Sequence, residues 1–108
     1  MKRYRLDNLP AGPGGHIFRG TVAGEFITEG AMDRRQPGEV VPPAVHDDEE
    51  IFVILQGRAT VHFDQGVEAL TPGDVLVVEP GERHSLEADG EDPCVQLYLH
   101  FGPKAHWR

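Results

Sequence analysis

The chain carries its apolar residues in short blocks rather than at helical spacing. Ile51-Phe52-Val53-Ile54-Leu55 is apolar at every position, and Val75-Leu76-Val77-Val78 repeats the pattern. Near the end, Val95, Leu97, Leu99 and Phe101 alternate with Gln96, Tyr98 and His100. Glycine or proline interrupts so often that only Ala44 to Gln56 runs more than nine residues without one, leaving almost no room for an ordinary helix. The pattern predicts an all-β chain. Its strands are expected at Ile17 to Arg19, Glu25 to Thr28, Met32 to Arg35, Glu39 to Val41, Ile51 to Leu55, Ala59 to Phe63, Val67 to Leu70, Val75 to Val78, His84 to Glu87 and Val95 to Phe101. Turn signals at Gln65-Gly66, Thr71-Pro72-Gly73-Asp74, Pro80-Gly81 and Asp89-Gly90-Glu91-Asp92-Pro93 fit an antiparallel jelly roll or two-sheet barrel.

Side chains alternate along a strand, so Glu50, Phe52 and Ile54 share one face of their block and Ile51, Val53 and Leu55 the other. The first set is expected to point into the barrel. A strand that is apolar on both faces needs cover on both. The outer set, together with that of Val75 to Val78, calls for a second layer or another subunit, and a homodimer is expected.

With 108 residues and no internal repeat, low-complexity segment or linker, the chain is expected to form one domain over residues 1–108. A net charge of −8 argues against nucleic acid as a partner, because binding phosphate backbones requires Lys and Arg to displace counterions. No apolar stretch approaches the length of a membrane span. Met1-Lys2-Arg3-Tyr4-Arg5 leads into Leu6-Asp7-Asn8 rather than an apolar signal core, so a cytoplasmic protein without membrane contact is expected. A single cysteine, Cys94, excludes an intrachain disulfide and a cysteine-rich zinc site; within an apolar strand it reads as a small core residue.

The chemistry-bearing residues fall in two spaced sets. Gly38 is followed after five residues by Ala44, then at defined intervals by His46, Glu50 and Gly57; Gly73 is followed after five residues by Glu79-Pro80-Gly81 and then His84. This spacing resembles the two motifs of the cupin superfamily, the first over about residues 38–57 and the second over about 73–88. The resemblance implies a jelly-roll or double-stranded β-helix barrel, dimers formed through the sheets, and a divalent metal (iron, manganese, nickel, copper or zinc) held by His46, Glu50 and His84. Four positions depart from the pattern. Ala44 stands where the first motif has its first histidine, Glu79 where the second has a proline, Ala88 where it has an asparagine, and Arg83 where many relatives have proline. Only Ala44 touches the metal chemistry, since it removes the fourth ligand. Imidazole nitrogen and carboxylate oxygen suit all of these ions, and two histidines with one carboxylate leave coordination positions open for substrate.

Other residues have competing readings. In the acidic run Asp47-Asp48-Glu49-Glu50, Asp47 and Glu49 read as a solvated turn, while Asp48 competes with Glu50 as ligand because His46-x-Asp48 with a distant His84 matches another oxygenase ligand order. Tyr98 and His100 either meet solvent or face the interior, where they would orient substrate or pass a proton. His62 reads as a surface strand residue, with approach to the vacancy left by Ala44 as the alternative, and His16 and His106 read as exposed terminal residues. Arg34, Arg35 and Arg83 are candidates for pairing a substrate carboxylate, against the ordinary reading of surface ion pairs. The expected function is a metalloenzyme acting on a small molecule by dioxygenase-like oxidation. The alternatives are a small-ligand or sugar-binding protein without catalysis, or an isomerase or lyase without redox chemistry.

Overall fold

The computed structural model describes residues 1–9, 21–22 and 26–102. Nine strands lie among them: β1 (Lys2–Arg5), β2 (Phe26–Arg35), β3 (Val40–Ala44), β4 (Glu49–Gln56), β5 (Ala59–Phe63), β6 (Gly66–Leu70), β7 (Asp74–Val78), β8 (His84–Ala88) and β9 (Cys94–Gly102), with a 3₁₀ turn at Leu6–Asn8. All pairings are antiparallel. They form one sheet ordered β1-β7-β4-β9-β2 and a second ordered β3-β8-β5-β6, the two-sheet barrel that the strand pattern predicts.

The split along β4 organises the interior. Phe52 and Ile54 join Leu76, Val78 and Cys94 of the larger sheet against Ala59, Val61, Leu70, Leu86 and Ala88 of the smaller one, which fills the space between the sheets. Ile51 and Val53 point the other way and form a second cluster with Val75, Val77 and Phe101. That outer cluster is covered within the chain, since Tyr4, Leu9, Val22, Leu97 and Leu99 pack against it and Ile51, Val75 and Val77 are fully buried. The apolar outer face therefore does not by itself require another subunit, which corrects the reasoning from the sequence. No helix among the described residues is long and apolar enough to cross a membrane.

Two strands differ from expectation for identifiable reasons. The blocks expected at Glu25 to Thr28 and Met32 to Arg35 are, from Phe26 on, the single strand β2, with a register shift between Ile27 and Glu29, and Glu25 lies outside the described residues. Gly30 is no turn: a Cβ there would lie 2.6 Å from Leu99 Cδ2, so glycine permits the close approach of β2 to β9. Strand β1 has a charged sequence and was not expected. It pairs with β7, setting Tyr4 opposite Val75 on the outer cluster and turning Arg3 and Arg5 to the other face. Both arginines reach the buried Asp74 at 2.9 Å, and Thr71 N–H donates to the same carboxylate at 2.8 Å. The expected strand at Ile17 to Arg19 lies outside the described residues, as do His16 and His106.

Strand β3 ends in Val41-Pro42-Pro43-Ala44 at a sheet edge, with a register shift between Val41 and Ala44, which is where prolines lacking N–H donors are tolerated. After β4, Gly57 adopts φ of 76°, and a Cβ would meet Pro93 O at 2.4 Å; the turn requires glycine on both counts. Gly81 N–H donates to His46 O at 3.0 Å, tying the β7–β8 turn to the segment before β4.

The full burial of Ile51 predicts that Ile51→Ala lowers unfolding free energy by about 2–5 kcal/mol, through lost transfer energy and a residual cavity. Val67→Ala, at a side chain 62% exposed, should change it by less than about 0.5 kcal/mol. Chemical denaturation of both variants checks this, and equal midpoint shifts would contradict the inner-and-outer assignment of β4.

Candidate metal centre

Three segments bring the histidines together. Glu50 lies at the start of β4 on its inward face, directly opposite His100 of β9 and Val78 of β7. His84 opens β8, where Ala44 is its register partner on β3. His46 and Asp48 lie between β3 and β4, outside both strands, while Ala44 is the last residue of β3. Ala44, His46, Glu50, His84 and His100 border a cavity of about 240 Å³ between the sheets, with Phe52 and Leu86 among its apolar walls. A larger groove of about 470 Å³ runs past the β5–β6 hairpin and Arg83. The candidate ligands border the smaller cavity, and there the chemistry is placed.

The contacts at Glu50 define the centre. His46 Nε2 lies 2.9 Å and His84 Nε2 3.0 Å from Glu50 Oε1, while His100 Nε2 lies 3.3 Å from Oε2. Each ring is held at its other nitrogen. His84 Nδ1–H donates to Glu82 O at 2.9 Å, His46 Nδ1 lies 2.7 Å from Asp48 Oδ1 and 3.1 Å from Asp48 O, and His100 Nδ1 lies 3.1 Å from the same Asp48 Oδ1. The rings of His46 and His84 meet edge to face with centroids 5.0 Å apart, and His46 and His100 do so at 4.8 Å. One donor atom each from His46, Glu50 and His84 lies within 4.8 Å of the others, and a second such group joins His46, Asp48 and His100.

Electrostatics follow this geometry. Burial pushes Glu50 up, but hydrogen bonds from His100, His84 and His46 and the charge of His100 outweigh it and hold the carboxyl at about 2. The hydrogen bond to Glu50 leads the causes that raise His100 to about 9, against the opposing effect of burial. Burial lowers His84, yet the Glu50 and Glu82 contacts prevail and leave it above the ordinary histidine value.

The structure thus brings His46, Glu50 and His84 together and sets Tyr98 and His100 on the inward face of β9, bordering the cavity. His62 is exposed beside Glu87 and borders neither this cavity nor Ala44. Arg35 borders the cavity but is paired with Asp33 at 2.9 Å, and Arg83 lies in the other groove. Glu49 is buried rather than solvated, because it is already inside β4 opposite Phe101. Asp48, whose part in holding two rings was not anticipated, is buried as well. The one signal in the sequence was its place two residues after His46.

Comparison with known proteins agrees with this reading of the fold. No curated protein matches the chain significantly. A predicted oxalate decarboxylase from Thermotoga maritima superposes with a TM-score of 0.64 at 29% identity, over 67% of this chain and 64% of that one. A cupin superfamily protein from Desulfitobacterium hafniense gives 0.64 at 25% identity, over 74% and 72%. An uncharacterised protein with a double-stranded β-helix domain from Klebsiella pneumoniae gives 0.67 at 21% identity, over 78% and 75%. The chain spans just under two thirds of the Thermotoga protein and 65% of a similar Streptococcus pyogenes protein of unknown function. The AraC-like ligand binding domain profile matches residues 29–108, so the two-sheet barrel, its motif spacing and this match together make the chain a member of that family, within the cupin superfamily.

Proposed function

We propose that the protein holds one divalent metal ion between His46, Glu50 and His84 and acts on a small molecule in the adjoining cavity. The carrying observation is the convergence of two imidazole Nε2 atoms on Glu50 Oε1. A neutral imidazole has one N–H, and His84 donates it from Nδ1 to a carbonyl oxygen that only accepts. Its Nε2 lone pair then faces a carboxylate, an arrangement stable only with a cation between them, either a proton on the ring or a metal. Imidazole and carboxylate donors suit iron, manganese, nickel, copper and zinc.

The reaction we favour is oxygen-dependent oxidation of a small acid or phenol. Two histidines and one carboxylate leave positions for substrate and dioxygen, and the bound metal would act as a Lewis acid that holds both reactants. The likeness to a predicted oxalate decarboxylase supports a small acid as substrate and keeps lyase chemistry as an alternative. Tyr98 borders the cavity with a phenolic O–H able to orient substrate or pass a proton. His100, expected in the same role, has carboxylates at both ring nitrogens, which favours a supporting part. A second reading, small-ligand binding without turnover, draws on the ligand-binding family match.

Protein purified without chelators should contain close to one metal per chain and consume dioxygen in the presence of substrate. His84→Ala and Glu50→Gln should weaken metal binding by more than the roughly 10–100-fold typical of outer-shell changes. Unchanged metal content in both variants would sink the metal reading. Metal without oxygen uptake, combined with ligand-induced thermal stabilisation, would favour the binding reading.

The metal-free protein should also respond to pH in a defined way. Glu50, lowered from an ordinary 4.5 to about 2, contributes stability that is full above pH 4.5 and lost as pH falls through 2. His100, raised from 6.5 to about 9, contributes stability that is full below pH 6.5 and lost as pH rises through 9. Both shifts report one coupled interaction, so the melting temperature should have a plateau between about pH 4.5 and 6.5 and decline on either side. Glu50→Gln should flatten the alkaline decline, and an identical profile in that variant would count against the pairing.

A homodimer is also part of this proposal. Phe26, Ile27 and Met32 leave apolar surface exposed on β2, an edge strand of the larger sheet. Light scattering at micromolar concentration should give about twice 11.9 kDa, and a stable monomer mass would remove the dimer.

A further inference from the structure

The two oxygens of Glu50 keep different company. Oε1 faces the Nε2 atoms of His46 and His84 at 2.9 and 3.0 Å, whereas Oε2 faces the Nε2 of His100, at 3.3 Å. His100 stands directly across the β4–β9 ladder from Glu50, so the backbone itself sets this pair side by side. Its other nitrogen is 3.1 Å from Asp48 Oδ1, and that same oxygen is 2.7 Å from His46 Nδ1. Asp48 is buried, and Thr28 Oγ1 approaches its second oxygen at 3.5 Å. One buried carboxylate thus serves the Nδ1 atoms of two rings whose Nε2 atoms both face Glu50.

We infer that Asp48 and His100 are a positioning pair that supports the centre where Ala44 supplies no ligand. His100 donates Nε2–H to Glu50 Oε2, so Glu50 meets the metal with Oε1 alone. Asp48 accepts Nδ1–H from both rings, from His100 at Oδ1 and from His46 at its main-chain O with Oδ1 alongside, which fixes His100 in place and leaves the Nε2 lone pair of His46 for the metal. Outer carboxylates commonly orient ligating histidines in this way. The compact donor group supports this division of labour, because it comprises His46, Glu50 and His84, while His100 belongs to the group around Asp48. The inference rests on the metal reading and adds to it how a three-ligand set is kept rigid.

The test uses the full chain titrated with Cu(II) alone, with affinity measured and coordinated imidazoles counted by pulsed electron paramagnetic resonance. The wild type should bind one ion through two imidazoles. His100→Leu should still show two imidazoles, with affinity reduced about 10–100-fold, and His100→Gln, which keeps an N–H donor, should recover part of the loss. Asp48→Asn should show a loss similar to His100→Leu, which guards against a folding defect in one variant. Three imidazoles in the wild type falling to two in both His100 variants would make His100 a ligand and overturn the pairing. Unchanged affinity in all three variants, or a second bound ion lost with Asp48, would overturn it too. A wild type that binds no copper, or a His84→Ala variant that binds it equally well, would instead remove the metal reading and the pairing with it.

Discussion

A single carboxylate oxygen, Glu50 Oε1, lies within 3.0 Å of two imidazole nitrogens in a largely buried setting, and the mouth of the barrel is organised around it. Acceptors this close repel one another unless positive charge lies between them, and burial amplifies that requirement by removing water as a screen. The surrounding structure meets it in stages. Glu82 O and Asp48 hold the outer nitrogens of the rings, so their inner nitrogens are committed to the Glu50 side. What remains is a place for protons or for one metal ion.

The barrel makes that place through strand alternation. Strand β4 sends Glu50, Phe52 and Ile54 inward, so the same face passes from the proposed ligand to cavity wall to sealed core within five residues. Strand β9 runs beside it with His100, Tyr98 and Gln96 at matching positions. Gln96 Oε1 is buried without a hydrogen-bond partner among the described residues, which marks how abruptly the polar stripe runs into the apolar interior. The opposite faces of β4 and β7 anchor the larger sheet through Ile51, Val53, Val75 and Val77 under Tyr4 and Leu9. The larger sheet on one side and strand β8 of the smaller one bring His84 against Glu50 across 34 residues of chain.

Much of this is legible in the sequence because period-two alternation and glycine or proline turns are local signals. Strands β4, β5, β7, β8 and β9 follow from them directly. Strand β1 is not legible, since its support comes from Asp74, about seventy residues away, and from Tyr4 reaching the outer cluster. Gly30 misleads because a glycine that admits a neighbouring strand looks the same as one that makes a turn. At the site, His46, Glu50 and His84 stand out by spacing. Glu49 does not, because an acid in such a run reads as solvated until the strand that buries it is known, and Asp48 reads only as a rival ligand to Glu50 rather than as the group that holds two rings. The distant partner of Asp48 in this pairing is His100, 52 residues on, and only the fold joins them.

The most direct test of this arrangement is the number of protons released when metal binds. In the metal-free site His84 donates Nδ1–H to Glu82 O while its Nε2 lies 3.0 Å from Glu50 Oε1, so that nitrogen carries a proton between itself and the carboxylate, and its pKa is raised accordingly. Metal must displace such a proton to reach the same lone pair. Calorimetric titration with Zn(II) in buffers of different ionisation enthalpy measures this release. The account predicts one-to-one binding with release of at least one proton, reduced in His84→Ala. Binding without proton release, or release unaffected by that substitution, would contradict it.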